Sequence, residues 1–140
     1  MTAPLPLTRD ILQQSLTDLF APWVQALNLQ VERFDADSVT LRLPQSAQLS
    51  RVGGMLCGQA MMAAADTAMV LALIRHFGQF RPCSTVQLSS SFMKPLSGQD
   101  ALVTARVLRA GKAMAFGEID LAGADDGQSV FRASTTYALM

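Results

Sequence analysis

Gly58-Gln59-Ala60-Met61-Met62-Ala63-Ala64-Ala65-Asp66-Thr67-Ala68-Met69-Val70-Leu71-Ala72-Leu73-Ile74 holds one charged side chain, Asp66, near the middle of an otherwise apolar run. Its residues are strong helix formers, Gly78 is placed as a C-terminal stop, and Arg75 and His76 suit the negative end of a helix dipole. The pattern predicts a helix from about Gln59 to Phe77. Apolar residues lie all around it, so other structure has to wrap it on most sides. A membrane span is excluded: Asp66 interrupts the run, Arg75 and His76 close it, and the uninterrupted apolar stretches are far shorter than the ~20 residues a bilayer requires. Burying an ionised carboxylate is costly unless it is paired, hydrogen-bonded or open to a wet cleft, and acids in such places often have chemical work. Asp66 is the first candidate functional residue.

The wrapping has to come from the rest of the chain. Segments around Leu29 to Phe34 and Ser38 to Leu43 flank an Asp35-Ala36-Asp37 turn and read as a hairpin. Four more strands are predicted around Ser84 to Met93, Ala101 to Leu108, Met114 to Leu121 and Ser129 to Leu139, separated by Pro-Leu-Ser-Gly, Arg-Ala-Gly-Lys and Asp-Asp-Gly turn signals. An amphipathic segment near Thr8 to Leu27, with Thr8 or Asp10 as cap and Ile11, Leu12, Leu16, Leu19 and Phe20 as its apolar positions, adds an N-terminal helix. Short turns between successive strands favour an antiparallel sheet, and one such sheet curled around one all-apolar helix satisfies both elements. The expected class is α+β, in a single domain over residues 1–140.

Composition narrows the function. Half of the 140 residues are hydrophobic, enough for a real core in one domain. Eleven basic and eleven acidic side chains cancel, which leaves no bulk electrostatic footprint for nucleic acid or an anionic membrane. Any anionic ligand must be held by a few placed cations. The opening Met1-Thr2-Ala3-Pro4-Leu5-Pro6-Leu7-Thr8-Arg9-Asp10 reads as no export signal, so a cytoplasmic location is the default. Cys57 and Cys83 stand apart without metal-ligand or framework spacing and are expected as reduced thiols.

Arg51-Val52-Gly53-Gly54-Met55-Leu56-Cys57-Gly58-Gln59, followed by Asp66 inside the long helix, resembles the hotdog-fold thioesterases of the phenylacetate-degradation (PaaI-like) group. Their pattern is Asn-x-x-Gly-x-x-His-Gly-Gly with an Asp seven residues beyond the second Gly. The resemblance continues through Ser84-Thr85-Val86-Gln87-Leu88, Phe92-Met93-Lys94-Pro95, Val107-Leu108-Arg109-Ala110-Gly111-Lys112 and Ala133-Ser134-Thr135-Thr136-Tyr137. It implies a six-stranded antiparallel sheet around the central helix, dimers that join sheets edge to edge, frequent homotetramers, and active sites at the dimer interface. It also implies an acyl-CoA or acyl-carrier thioester as substrate, with no metal or cofactor. Gly54, Gly58 and Asp66 match the pattern, whereas Arg51 replaces the Asn, Cys57 the His, and Gln59 the second Gly.

The matched residues suit thioester cleavage. Gly58 at a helix start lets a carbonyl approach the backbone N–H, where the dipole favours a developing oxyanion. Asp66 could activate water as general base or attack directly to form a mixed anhydride. The two lie about two helical turns apart, too far for one thioester within one subunit, so the resemblance pairs Gly58 of one chain with Asp66 of its neighbour. Arg51 could hold Asp66 ionised, tie it up in an ion pair, bind an anionic group of the ligand, or stand as a solvated loop residue. Cys57 could be a nucleophile at a helix N-terminus or a small packing residue. The lone histidine, His76, lies about 28 Å away along the helix at 1.5 Å per residue and cannot serve Cys57 within the subunit.

Gln59 could share the face of Asp66 or be a first-turn polar residue. Thr85 stands where related enzymes place a hydroxyl near the acid. For Lys94, Arg109 and Lys112 the resemblance suggests contacts to coenzyme A phosphates, against a reading as solvated cations. Met61, Met62, Met69 and Met93 could line an acyl pocket or belong to the core. The reading is an acyl-CoA thioesterase. Its rivals are a hotdog protein that binds an acyl ligand without turnover and a hotdog dehydratase, which generally needs an Asp/His pair.

Overall fold

The computed structural model describes residues 7–140. Most of the opening segment read for an export signal therefore lies outside the described residues. The element order is α1 (Arg9–Asp18), α2 (Pro22–Gln25), β1 (Gln30–Phe34), β2 (Ser38–Leu43), a short 3-10 turn (Ala47–Leu49), α3 (Gly58–Phe77), β3 (Cys83–Phe92), β4 (Ala101–Ala110), β5 (Met114–Gly123) and β6 (Ser129–Leu139). The strands form one antiparallel six-stranded sheet in the order β1-β2-β4-β5-β6-β3. This is the hotdog arrangement, with α3 as the filling.

One expected element divides. The single helix over Thr8 to Leu27 is two helices, because Pro22 opens α2 and the residue before a proline is pushed out of the helical region: Ala21 has ψ 150°. Thr8 is the cap of α1, its side chain accepting from the Ile11 N–H at 3.2 Å. Leu12 and Leu16 face the core, but Ile11 and Leu19 do not: they are 44% and 40% exposed.

Why α3 sits so close to the sheet follows from its alanines. Ala60, Ala64, Ala68 and Ala72 recur every four residues, all buried, and make a smooth stripe along the helix. Gly117 on β5 continues the fit from the other side: a Cβ built there would lie 2.2 Å from the Met69 Cε and 2.9 Å from the Arg106 carbonyl oxygen. Leu71, Leu73 and Ile74 fill the space on either side, each fully buried aliphatic chain stabilising by about 1.5–3 kcal/mol. Gly78, in the left-handed region at φ 78°, closes α3 by donating to the Ile74 oxygen at 2.9 Å. Among the described residues α3 is the one helix long and apolar enough to cross a membrane, and here it is a core element.

The wrapping leaves one stripe of α3 partly open. Gln59, Met62, Ala63, Asp66 and Val70, at the spacing of one helical face, are the residues between the first turn and Arg75 that stay exposed or half-buried. Asp66 therefore escapes full burial because the sheet does not close over its side of the helix.

Candidate active site

The carboxylate of Asp66 is held by hydroxyls. Thr85 on β3 donates to Asp66 Oδ1 at 2.9 Å, and the Tyr137 hydroxyl on β6 donates to the same oxygen. Thr85 and Tyr137 are paired residues on adjacent strands, so the sheet register itself brings both hydroxyls to one place. Between Thr85 and Gln87 the β3–β6 ladder shifts by one residue, a bulge of the kind that re-aims a side chain. Among the described residues, no cation pairs with Asp66, and Oδ2 has no hydrogen-bond partner. Burial, then the Asp66 charge and the hydrogen bond to it, push the Tyr137 phenol far above its usual range. Burial and the same charge push the Cys83 thiol up.

Gly58 lies at the other end of β3. It is the first residue of α3, and Cys57 caps the helix without a side-chain hydrogen bond, which leaves the leading N–H groups pointing out of the helix start. A Cβ added to Gly58 would meet the Phe92 ring at 3.1 Å. Phe92 in turn packs edge-on against Phe131, centroids 5.1 Å apart. A cleft of about 270 Å³ opens beside Gly58, walled by Met55, Met61, Phe92 and Met93, with the exposed Arg51 and Lys94 among its lining residues. The Arg51 guanidinium bonds to the Val52 oxygen and the Met55 sulfur, both at 3.3 Å, and is in no ion pair with Asp66.

The structure thus separates the candidates into two groups. Thr85 stands with Asp66, and Gln59 shares its open stripe. Arg51 and Lys94 gather with Gly58 in the cleft. Cys57 is half-buried beside them, its N–H bonded to the Leu49 oxygen at 2.9 Å, and the lone histidine is far off, within 3.0 Å of Asp37. Arg109 and Lys112 belong to neither group. They lie at the β4–β5 turn, where the Lys112 carbonyl accepts from Arg81 at 2.6 Å. Of the methionines, Met61 and Met93 line the cleft, Met69 is core, and Met62 is 39% exposed on the open stripe. A larger hollow of about 440 Å³ lies on the sheet face away from α3, lined by Ser89, Arg106, Glu118 and the Asp120–Arg132 ion pair. It holds neither Asp66 nor Gly58. No three His, Cys, Asp or Glu side chains cluster among the described residues.

Sequence reasoning missed Tyr137 as a site residue. The signal was present: it is the chain's single tyrosine, on a β6 row that alternates inward with Phe131, Ala133 and Thr135. A buried phenol needs an acceptor, and a lone mid-helix acid needs a donor.

A Silicibacter protein with a provisional thioesterase name has a structure that superimposes with a TM-score of 0.85 at 28% identity, covering 96% of this chain and 92% of its own. Zebrafish thioesterase superfamily member 2 gives a TM-score of 0.85 at 23% identity, covering 96% and 99%. A Thermoplasma acidophilum protein with a provisional esterase name is 25% identical over 127 residues, 89% of this chain and 94% of its own. The sequence profile of the thioesterase superfamily matches residues 53–130, a span that runs from the loop before Gly58 through Asp66 and Thr85 to the start of β6. By that match, over more than half its length, the chain belongs to the thioesterase superfamily.

Proposed function

We propose that the protein hydrolyses an acyl-CoA thioester to a free acid and coenzyme A, in the manner of the phenylacetate-degradation group, at sites shared between two subunits. The observation that carries this reading is the Asp66 carboxylate: half-buried on the open stripe of α3, held at one oxygen by Thr85 and Tyr137, and unpaired at the other. Superfamily membership supports the reaction class, and the cleft beside Gly58 supports a place for the acyl-thioester.

The geometry of β3 supports sharing. Thr85, against Asp66, and Phe92, against Gly58, lie at opposite ends of this edge strand. Antiparallel pairing of two β3 edges about an axis between Leu88 and Ser89 would bring Thr85 of each copy beside the partner's Phe92, and with it Asp66 toward the partner's Gly58. Within one subunit α3 holds the two groups about 12 Å apart along its axis, too far for one thioester.

In this mechanism the carbonyl oxygen lies against the Gly58 N–H at the positive end of α3, a donor of the kind typically worth roughly 3–4 kcal/mol of barrier. Asp66 Oδ2 takes a proton from water as the water oxygen attacks the carbonyl carbon. When the tetrahedral intermediate collapses, the carbon–sulfur bond breaks and the thiolate recovers that proton, leaving acid and thiol. Direct attack by Oδ2 would instead form a mixed anhydride that water then opens, with the same products. Arg51 and Lys94 are suited to an anionic part of the ligand, such as a coenzyme A phosphate.

The test is release of free thiol from short, medium, long and aromatic acyl-CoAs by wild type and Asp66→Ala. Turnover that falls by about two orders of magnitude or more in the variant supports the proposal. The substitutions at Arg51, Cys57 and Gln59 favour a second reading, an acyl-CoA binder. Binding without turnover across the panel would establish that reading instead.

A further inference from the structure

We infer that Tyr137 is a positioning residue for Asp66: its hydroxyl, together with that of Thr85, engages Oδ1 and leaves Oδ2 as the single working oxygen. The inference rests on the hydrolase reading above and deepens it. The family match ends at residue 130, so it does not reach Tyr137.

Tyr137 is 1% exposed, its ring among the core side chains of the sheet's inner face. Its strand neighbours are Thr85 on one side and Ala115 on the other. Phenylalanine would fill the same volume without a polar atom to satisfy. The hydroxyl's own donation goes to Asp66: it donates to Oδ1 and lies 3.1 Å from the backbone oxygen of the same residue, with the Thr85 and Thr135 hydroxyls as its other polar neighbours. A phenol has one proton, and the charged acceptor makes the stronger bond, so the carboxylate takes it.

Two donors on one oxygen and none on the other make the carboxylate asymmetric. An aspartate's terminal torsion is broad, so an unanchored carboxylate would present either oxygen at a range of angles. Anchoring from β3 and β6 selects one orientation. The titratable groups facing Asp66 are Tyr137 from β6 and Cys83 from β3, while β5 presents the non-ionisable Ala115. No Arg, Lys or His pairs with the acid among the described residues, so orientation falls to the hydroxyls.

The single tyrosine makes the inference directly testable, because tyrosinate absorbance in alkaline titration reports Tyr137 alone. Burial and the Asp66 charge together keep the phenol protonated, and Asp66→Asn removes the second, so its tyrosine should ionise at lower pH than wild type's. In kinetics, Tyr137→Phe keeps the ring. It should lower kcat by about 10- to 100-fold with KM nearly unchanged, the scale on which small misplacements of a reacting group act. Thr85→Val should act in the same direction and combine less than additively with Tyr137→Phe.

Identical tyrosine titrations in wild type and Asp66→Asn, with both proteins still folded by far-ultraviolet circular dichroism over the titration, would overturn the inference. So would a Tyr137→Phe enzyme with wild-type kcat and only a lowered Tm, which is the signature of a packing role. If wild type cleaves no thioester, the hydrolase reading falls and the kinetic role with it. The titration distinguishes that failure, since it reads the Tyr137–Asp66 link without turnover.

Discussion

β1 and β3 both lie at an edge of the same six-stranded sheet, yet one edge is covered and the other is bare. β1 is five residues long, and α1 lies against it as a guard. The Gln13 side chain accepts from the Val31 N–H at 2.8 Å and donates to the Leu29 oxygen at 3.1 Å. Arg9 donates to the Val31 and Glu32 oxygens. Arg42 then bridges Glu32 and Asp100, both at 3.0 Å, across the neighbouring strands. β3 is ten residues long, mostly exposed, with Val86 59% and Phe92 51% open, and among the described residues it pairs with β6 alone and has no strand on its outer side. Long bare edges are templates for pairing, and natural domains normally blunt them with charge, proline or a covering element. The contrast is what makes β3 the edge for a second copy in the proposed function. The chain equips α1 to satisfy one edge and leaves open the edge that carries Thr85 at one end and Phe92 at the other.

Substitutions can break this contrast at either edge. The largest expected effect is Asp66→Asn, which leaves both edges intact and should cut thioester turnover by roughly 10²- to 10⁴-fold in a steady-state thiol-release assay. Next is Val86→Lys, which places a charge on the bare edge. It should yield a folded monomer in sedimentation velocity and a loss on the order of 10²- to 10³-fold, the cost of removing an oxyanion donor. Gly58→Ala puts a methyl group against the half-exposed Phe92 ring, which can give way. It should lower kcat/KM about tenfold through a displaced carbonyl while changing stability by about 0.5 kcal/mol or less.

The smallest effect belongs to the covered edge. The Arg42 guanidinium beside Glu32, and the Gln45 amide with Arg42 on Asp100, hold these carboxyls below their usual range. A depressed carboxyl contributes stability that is present above its unfolded-state pKa and lost as pH falls through the folded one. Wild type should therefore lose Tm on acidification below roughly pH 4. Arg42→Ala should flatten part of that loss and leave the oligomeric state unchanged. A change of oligomeric state in Arg42→Ala would blur the distinction between the edges.

Much of this architecture was legible beforehand because it rests on local signals. The all-round apolar run announced a wrapped helix, and the turn residues between strands marked six strands with ends close to those observed. The break at Pro22 was also written in the chain, but the reading of one helix rested on the apolar positions from Ile11 to Phe20 and took no account of it. Asp66 stood out by its charge alone. Of its setting, Thr85 came from the family resemblance and Tyr137 not at all, because the two lie 19 and 71 residues away and meet only through the β3–β6 register. That Arg51 joins Gly58 rather than Asp66 is likewise a matter of where the loop before α3 folds. Spacing along one helix put Gly58 and Asp66 too far apart, and the strand order leaves β3 as the bare edge on which the proposed shared site rests.

Subunit complementation tests that reunion most directly. Asp66→Asn and Gly58→Val each remove one half of the proposed shared site, and each alone should be nearly inactive. After dissociation and mixing in equal amounts, half of the dimers are mixed, and each of these recovers one intact site of two. Activity should rise to about a quarter of wild type, as the two-fold symmetry of a closed dimer requires. No rise above the separate variants, in a mixture shown by mass spectrometry to contain the mixed dimer, would contradict a site shared across β3.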